Sequence, residues 1–178
     1  MEFNEVLKAR FSCKKFSNKP ICAETLESIL KAGNLAPTAK NLQEHKVYVL
    51  TSDSLLQKID NITPCRYNAP IVLAITYDKD NTFQYLGGKY NSGVEDTSIV
   101  ATYMMLAATN EGVNSCWLNY FDPENASDEL DIPESEQLVL LLALGYGEDD
   151  FAPSSKHYIR KDISENVISV SYTHLTLP

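Results

Sequence analysis

Arg10-Phe11-Ser12-Cys13-Lys14-Lys15-Phe16 directly follows a short amphipathic stretch, Glu2 to Ala9, in which Phe3, Val6 and Leu7 share one helical face. In an extended segment alternate side chains point to the same side, so Arg10, Ser12 and Lys14 converge as a guanidinium, a hydroxyl and an ammonium. Such a trio suits one phosphate or a polyol phosphate, because charged donors make the strongest hydrogen bonds to phosphate oxygens. The competing reading is a solvated turn, and on these seven residues alone both stand.

Working outward, Glu24 to Ala32 reads as a second helix, with Leu26, Ile29 and Leu30 on one face and Gly33 as its stop. Ala36-Pro37-Thr38-Ala39-Lys40-Asn41 is a loop, since proline disfavours a helical conformation in the residue before it. Lys46 to Leu50 alternates polar and apolar and predicts a strand; Ser54 to Asp60 predicts a helix. Ile71 to Thr76 and Leu138 to Leu144 are continuous apolar strands of the buried type. Between them lie a turn-rich stretch without clear period (Asn81 to Asn91), a long, largely buried helix (Val94 to Asn110), a strand (Ser115 to Asn119) and a short helix (Asp122 to Leu130). Helices and strands alternate without internal repeats, which argues for a mixed sheet covered by helices. Residues 1–170 read as one domain. The last eight residues, SYTHLTLP (171–178), differ in composition from the amphipathic stretch Ile163 to Val170 before them and read as a non-native tail.

The chain has 178 residues, 44% hydrophobic and 22% charged, an ordinary globular composition for one domain. Its net charge of −9 argues against a general nucleic-acid binder, which needs surplus Lys and Arg. The charge is unevenly spread. Lys8, Arg10, Lys14, Lys15 and Lys19 crowd the first twenty residues, whereas Tyr90 through Ser155 holds thirteen Asp and Glu and no Lys or Arg. Positive charge returns at Lys156, Arg160 and Lys161. An anionic ligand would therefore be held by the N-terminal cluster, by the later one, or by both; otherwise these are solvated ends of an acidic protein. Two of the three arginines, Arg10 and Arg160, fall in these clusters, and arginine is the side chain best shaped to grip phosphate.

Other chemistries find little support. The longest apolar run is seven residues, against the roughly 20 of a membrane helix. With no secretory segment at the N-terminus and no C-x-x-C pair, Cys13, Cys22, Cys65 and Cys116 read as free thiols of a cytoplasmic protein. Cys116, on an apolar strand, reads as an inert core thiol. His45, His157 and His174 lack metal-ligand spacing, so no metal is expected. Gly145-Tyr146-Gly147 follows a strand as a dinucleotide loop would, but Glu148, Asp149 and Asp150 would repel a pyrophosphate.

The order of motifs carries a resemblance. A helix, R-x-S-x-K-x-F (Arg10 to Phe16), a helix ending in A-P-T-A-x-N-x-Q (Ala36 to Gln43) and then a strand resemble the opening of the nitroreductase family of flavin enzymes. Asn68-Ala69-Pro70-Ile71-Val72, the stretch Asp96 to Trp117, and Leu144-Gly145-Tyr146-Gly147 followed by Lys156 and Arg160-Lys161 resemble later parts of that family in the same order. The resemblance implies an α+β fold with a mostly antiparallel central sheet flanked by helices, built as a homodimer that binds two FMN molecules at its interface. By position, Arg10, Ser12 and Lys14, with Phe11 in the same segment, would hold the phosphate, the ribityl chain and the N1/O2 edge of the flavin. Arg160 and Lys156 would contact the phosphate. Pro37, Thr38, Ala39 and Asn41 would come from the partner chain to cover the ring, and the backbone at Leu118 and Asn119 would face flavin N5.

The activity this implies is reduction of nitroaromatics, quinones or similar small-molecule oxidants by NADH or NADPH, in alternation, with no membrane or nucleic-acid partner and no catalytic side chain. Three departures qualify the implied site. Positions 119 and 120 are Asn and Tyr, the segment between Thr76 and Val94 is short, and a foreign tail would leave the C-terminal arm incomplete. Three alternatives stay open at this point: a non-catalytic flavin-binding protein, a flavin enzyme of dehalogenase or dehydrogenase type acting on one metabolite, and an interaction domain without cofactor.

Overall fold

The two continuous apolar runs become the two central strands. In a computed structural model, which describes residues 1–170, the strands are β1 (His45–Leu50), β2 (Ile71–Asp78), β3 (Asn114–Leu118) and β4 (Glu136–Gly145). They lie in the order β1-β2-β4-β3 with every neighbouring pair antiparallel. The helices are α1 (Phe3–Ala9), α2 (Ala23–Asn34), α3 (Asp53–Ile62), α4 (Gly93–Asn110) and α5 (Pro123–Glu129). The α+β architecture with an antiparallel sheet is thus the one the resemblance implied. The mixed sheet expected from the alternation of elements is corrected: the ladder is wholly antiparallel, and among the described residues the one parallel pairing is an isolated bridge, Ser12 to Ser115.

Helices on both faces explain why β2 and β4 read as unbroken apolar runs. On one face Leu73, Ile75, Leu140 and Leu142 pack against Ile29 of α2 and Val100 and Met104 of α4. On the other, Val72, Ala74 and Leu141 pack with Ile59 of α3, Ala126 of α5, Cys13 and Phe16. Each large aliphatic side chain taken out of water here contributes about 1.5–3 kcal/mol, so neither face tolerates a polar residue without a partner. Glu136 shows what a partner entails. Its carboxylate is buried at the start of β4 and accepts hydrogen bonds from Lys46 Nζ (2.5 Å), Thr76 Oγ1 (2.6 Å) and Tyr48 Oη (2.8 Å). Burial alone pushes this carboxyl up; the three donors outweigh it and leave the group below its ordinary value.

Local chemistry sets the ends of several helices. Asp122 accepts from the backbone N–H groups of Glu124 and Asn125, with Pro123 at the first helical position of α5, where its missing N–H costs nothing. Gly33 departs from expectation. It does not stop α2, which runs on to Asn34; it lies in the contact with α4, where a Cβ would stand 2.7 Å from Met104 Cγ. The glycine permits close helix packing. The amphipathic stretch 163–170 forms only a 3₁₀ turn, Ile163–Glu165, and its side chains are exposed. The non-native tail read at 171–178 lies outside the described residues. Among the described residues no helix is long and apolar enough to cross a membrane.

Candidate functional site

The segment after α1 is fixed by backbone hydrogen bonds to β3, to the turn before β2 and to the residues just after β4. Cys13 N–H donates to Ser115 O (2.9 Å), Phe16 N–H to Tyr67 O (3.0 Å), Ser17 N–H to Tyr146 O (2.8 Å), and Glu148 N–H to Lys15 O (3.1 Å). Cys13 and Phe16 point into the core, while Ser12 and Lys14 are exposed and Arg10 is half-buried. The alternation expected for Arg10, Ser12 and Lys14 holds only around Cys13: Ser12 and Lys14 are exposed on either side of it, but Lys15 is exposed as well and Phe16, in step with them, is buried. Phe16 is wholly buried over Gly145, and that seat fixes the far end.

Ion pairing separates the cations. Lys15 is paired with Glu148 (2.7 Å) and Asp150 (3.0 Å), and these carboxylates push its ammonium pKa up. Arg66 forks onto both carboxylate oxygens of Asp60 (2.7 and 2.6 Å) and donates to Ala69 O (2.9 Å), bracing the turn before β2. Arg10 and Lys14 have no side-chain partner among the described residues. The acidic run 148–150 thus neutralises the lysine next to the candidate site and leaves that site's own cations uncommitted.

The second basic cluster is brought to the first. Phe11 stacks on Phe151 (centroids 6.1 Å apart) and meets His157 edge-on (6.4 Å), so the chain after β4 folds across the N-terminal segment. Lys156 stands exposed in the 3₁₀ turn Ser155–Tyr158 on this strap. Arg160 follows it, its guanidinium donating to the backbone carbonyls of His157 and Ile159. Phe151 and His157 escaped the sequence reading, because nothing local marks an aromatic pair that closes over a residue 140 positions away.

The other expected residues lie elsewhere in the chain. Around Pro37 to Asn41 the backbone takes left-handed conformations at Lys40 (φ 51°), Asn41 (φ 56°) and Gln43 (φ 58°). Such residues cost roughly 1–3 kcal/mol each outside glycine and persist only where neighbours hold them. This loop sits at the N-terminal end of α4, where Ala39 N–H donates to Asp96 Oδ1 (2.9 Å) and the Lys40 ammonium lies 4.5 Å from the centre of the Phe83 ring. Ser12, by contrast, pairs with Ser115 just beyond the C-terminal end of α4. The eighteen residues of α4 span about 27 Å, so within one chain the loop does not meet Arg10 and Lys14. Leu118 is buried at the end of β3, paired with Leu141. Asn119 follows it, exposed; its side chain accepts from Trp117 Nε1 and donates to Val139 O (3.0 Å). Tyr120 stands open, 75% exposed.

The thiols match their sequence reading in part. All four cysteines are free, and burial raises the Cys116 pKa to about 11, as suits an inert core group. Among the described residues no three His, Cys, Asp or Glu side chains come together as a metal ion would require.

Comparison with known proteins agrees with this architecture. The model of the "Nitroreductase family" matches residues 7–66 and 63–146. A crystal structure of a nitroreductase family protein from Clostridium difficile 630 is 30% identical, covers 98% of this chain and all of its own, and superposes with a TM-score of 0.87. An FMN-dependent nitroreductase from Clostridium difficile R20291 is 26% identical over 94% of this chain and 98% of its own, with a TM-score of 0.73. An NADPH-dependent oxidoreductase of Staphylococcus epidermidis is 23% identical over 181 residues, 89% of this chain and 72% of its own. With its fold, its motif order and the family model over most of its length in agreement, this chain belongs to the nitroreductase family.

Proposed function

We propose that the protein is an FMN-dependent oxidoreductase that uses NADH or NADPH to reduce nitroaromatics, quinones or similar electron-poor compounds, acting as a homodimer with each site shared between subunits. The observation that carries this reading is the pair of uncommitted cations, Arg10 and Lys14, flanking Ser12, with the second basic cluster strapped against them through Phe11. These donors fit FMN. Arg10 and Ser12 supply a forked cation and a hydroxyl for its phosphate and polyol, with Lys156 and Arg160 on the strap that meets Phe11 through His157. Lys14 places positive charge where the N1/O2 edge of the ring would gain negative charge on reduction, which favours the reduced state.

FMN, when bound, supplies the hydride chemistry itself. The chain's work is orientation and electrostatics. The Arg10–Phe16 segment is anchored at Ser115, Tyr67 and Tyr146, so its donors are held in place before a ligand arrives. Pro37, Thr38, Ala39 and Asn41, which lie about an α4 length from Arg10 in their own chain, cover the ring from the partner subunit. The end of β3 at Leu118 and Asn119 offers backbone next to N5, and the open Tyr120 restricts the approach of oxidants.

The test is a visible spectrum of freshly purified protein before and after anaerobic NADH or NADPH. The expected result is a flavin band that bleaches with nucleotide and recovers on adding a quinone or nitroaromatic. A colourless protein that takes up no added FMN would overturn the proposal. A flavin band that neither nucleotide bleaches would reduce it to flavin binding without this catalysis.

A further inference from the structure

Asp96 belongs to none of the residues assigned so far, yet it joins three elements. It lies half-buried in the first turn of α4. One carboxylate oxygen accepts the Ala39 N–H (2.9 Å) and the other accepts Ser92 Oγ–H (2.7 Å), the residue that closes the hairpin before α4 through Ser92 N–H to Phe83 O (2.9 Å). The loop it grips is strained and mostly self-bonded. Asn41 N–H donates to Thr38 O, Leu42 N–H to Ala39 O, and Gln43 N–H to Thr38 Oγ1. Those bonds shape the loop but do not tie it to the body of the protein. Besides Asp96, the loop's polar tether among the described residues is the Lys40 ammonium over Phe83, which belongs to the same hairpin. A charge-assisted bond to a backbone N–H is the stronger of the two and the only one with a fixed direction.

We infer that Asp96 is a positioning residue for the cofactor: its carboxylate holds Ala39, and with it Pro37 to Asn41, in the shape that covers FMN in the partner's site. This rests on the proposed function, and its failure is distinguishable from failure of that reading. Asp96→Ala removes both bonds, and the dissociation constant for FMN rises tenfold or more. Asp96→Asn keeps an acceptor for Ala39 N–H and a group that bonds Ser92 Oγ, and holds FMN within about threefold of the wild type. The melting temperature of the FMN-free protein, measured alongside, reports any general loss of fold.

A mixed dimer sharpens the assignment. One chain carries Asp96→Ala, the other Arg10→Ala, and the heterodimer is isolated by two different tags. If the Asp96-held loop serves the partner's Arg10, one of the two sites combines an intact Arg10 with an intact loop, and the mixed dimer retains one FMN. If loop and Arg10 of one chain formed one site, each site would carry one lesion and the mixed dimer would retain none. Wild-type protein that binds no FMN sinks the functional reading and this inference with it. Wild-type protein that binds FMN while Asp96→Ala binds it equally well, or Asp96→Asn as weak as Asp96→Ala, overturns the role of Asp96 alone.

Discussion

Gly145→Ala links the packing of the sheet to the candidate site. Gly145 is the last residue of β4, and a Cβ there would stand 2.8 Å from Phe16 Cδ1 and 2.8 Å from Pro70 Cδ, with Phe16 Cγ at 3.3 Å. Ordinary contact begins near 3.4 Å, so two ring systems on different segments must both retreat by about half an ångström or more. Neither has easy room. Phe16 is 1% exposed and flanked by the bonds from its own N–H to Tyr67 O and from Ser17 N–H to Tyr146 O. Overpacking of this kind costs typically 1–3 kcal/mol, against a gain of about 0.4–1 kcal/mol from a less flexible unfolded chain. The net is a loss of about 1–2 kcal/mol. For a chain of this length that lowers Tm by roughly 2–8 °C, readable by calorimetry on FMN-free protein. Because Phe16 anchors the segment carrying Arg10 and Lys14, FMN affinity falls as well. Phe16→Leu in the same background shortens the ring that is struck, so the cost of Gly145→Ala becomes smaller there than in the wild type, a coupling read from the double-mutant cycle. Equal or higher Tm for Gly145→Ala, or strictly additive effects with Phe16→Leu, would refute the reasoning.

Glu136→Gln loses charge-assisted bonds to Lys46, Thr76 and Tyr48 and costs about 2 kcal/mol at neutral pH. The folded-state pKa of Glu136 is depressed, so its contribution is fully present above the unfolded value near 4.5 and is lost as pH falls through the folded one. Urea melts should therefore show the gap between wild type and variant closing in acid, and a gap that widens there would contradict the sign. Lys14→Ala should raise the FMN dissociation constant roughly tenfold, whereas Lys15→Ala, which removes only a pairing with Glu148 and Asp150, should leave it nearly unchanged; fluorescence titration with FMN separates them. Thiol titration of native protein at pH 7.5 should modify exposed Cys22 first, and Cys116, with its pKa near 11, only on unfolding.

Elements were legible where their cause is local. The alternation of Lys46 to Leu50, the apolar runs and the proline at 37 each act over a few residues, and β1, the central strands and the loop stand where those signals place them. Strand direction was not local. An unbroken apolar run says that both faces are covered, which in many proteins goes with parallel strands; here α2 and α4 on one side and α3 and α5 on the other cover an antiparallel pair. Gly33 shows the same limit, since its meaning depends on Met104, which arrives 71 residues later.

The candidate site divides along the same line. Period-two reasoning selected Lys14 over Lys15 from seven residues, and the structure adds the reason they differ: Lys15 is claimed by Glu148 and Asp150. In sequence those acids belong to the acidic stretch and speak against a dinucleotide loop; in the fold Glu148 and Asp150 also pair with Lys15. What no local pattern marks is the distance across α4; in the sequence only the family resemblance places the Pro37–Asn41 loop on the partner chain. Arg10 and the Pro37–Asn41 loop are 27 residues apart in sequence, closer than Phe11 and Phe151, yet they are held at opposite ends of one helix while the aromatic pair is in contact. Sequence separation carries no information about that distance, and the proposed function, which draws on both ends of α4 for one site, calls for two chains.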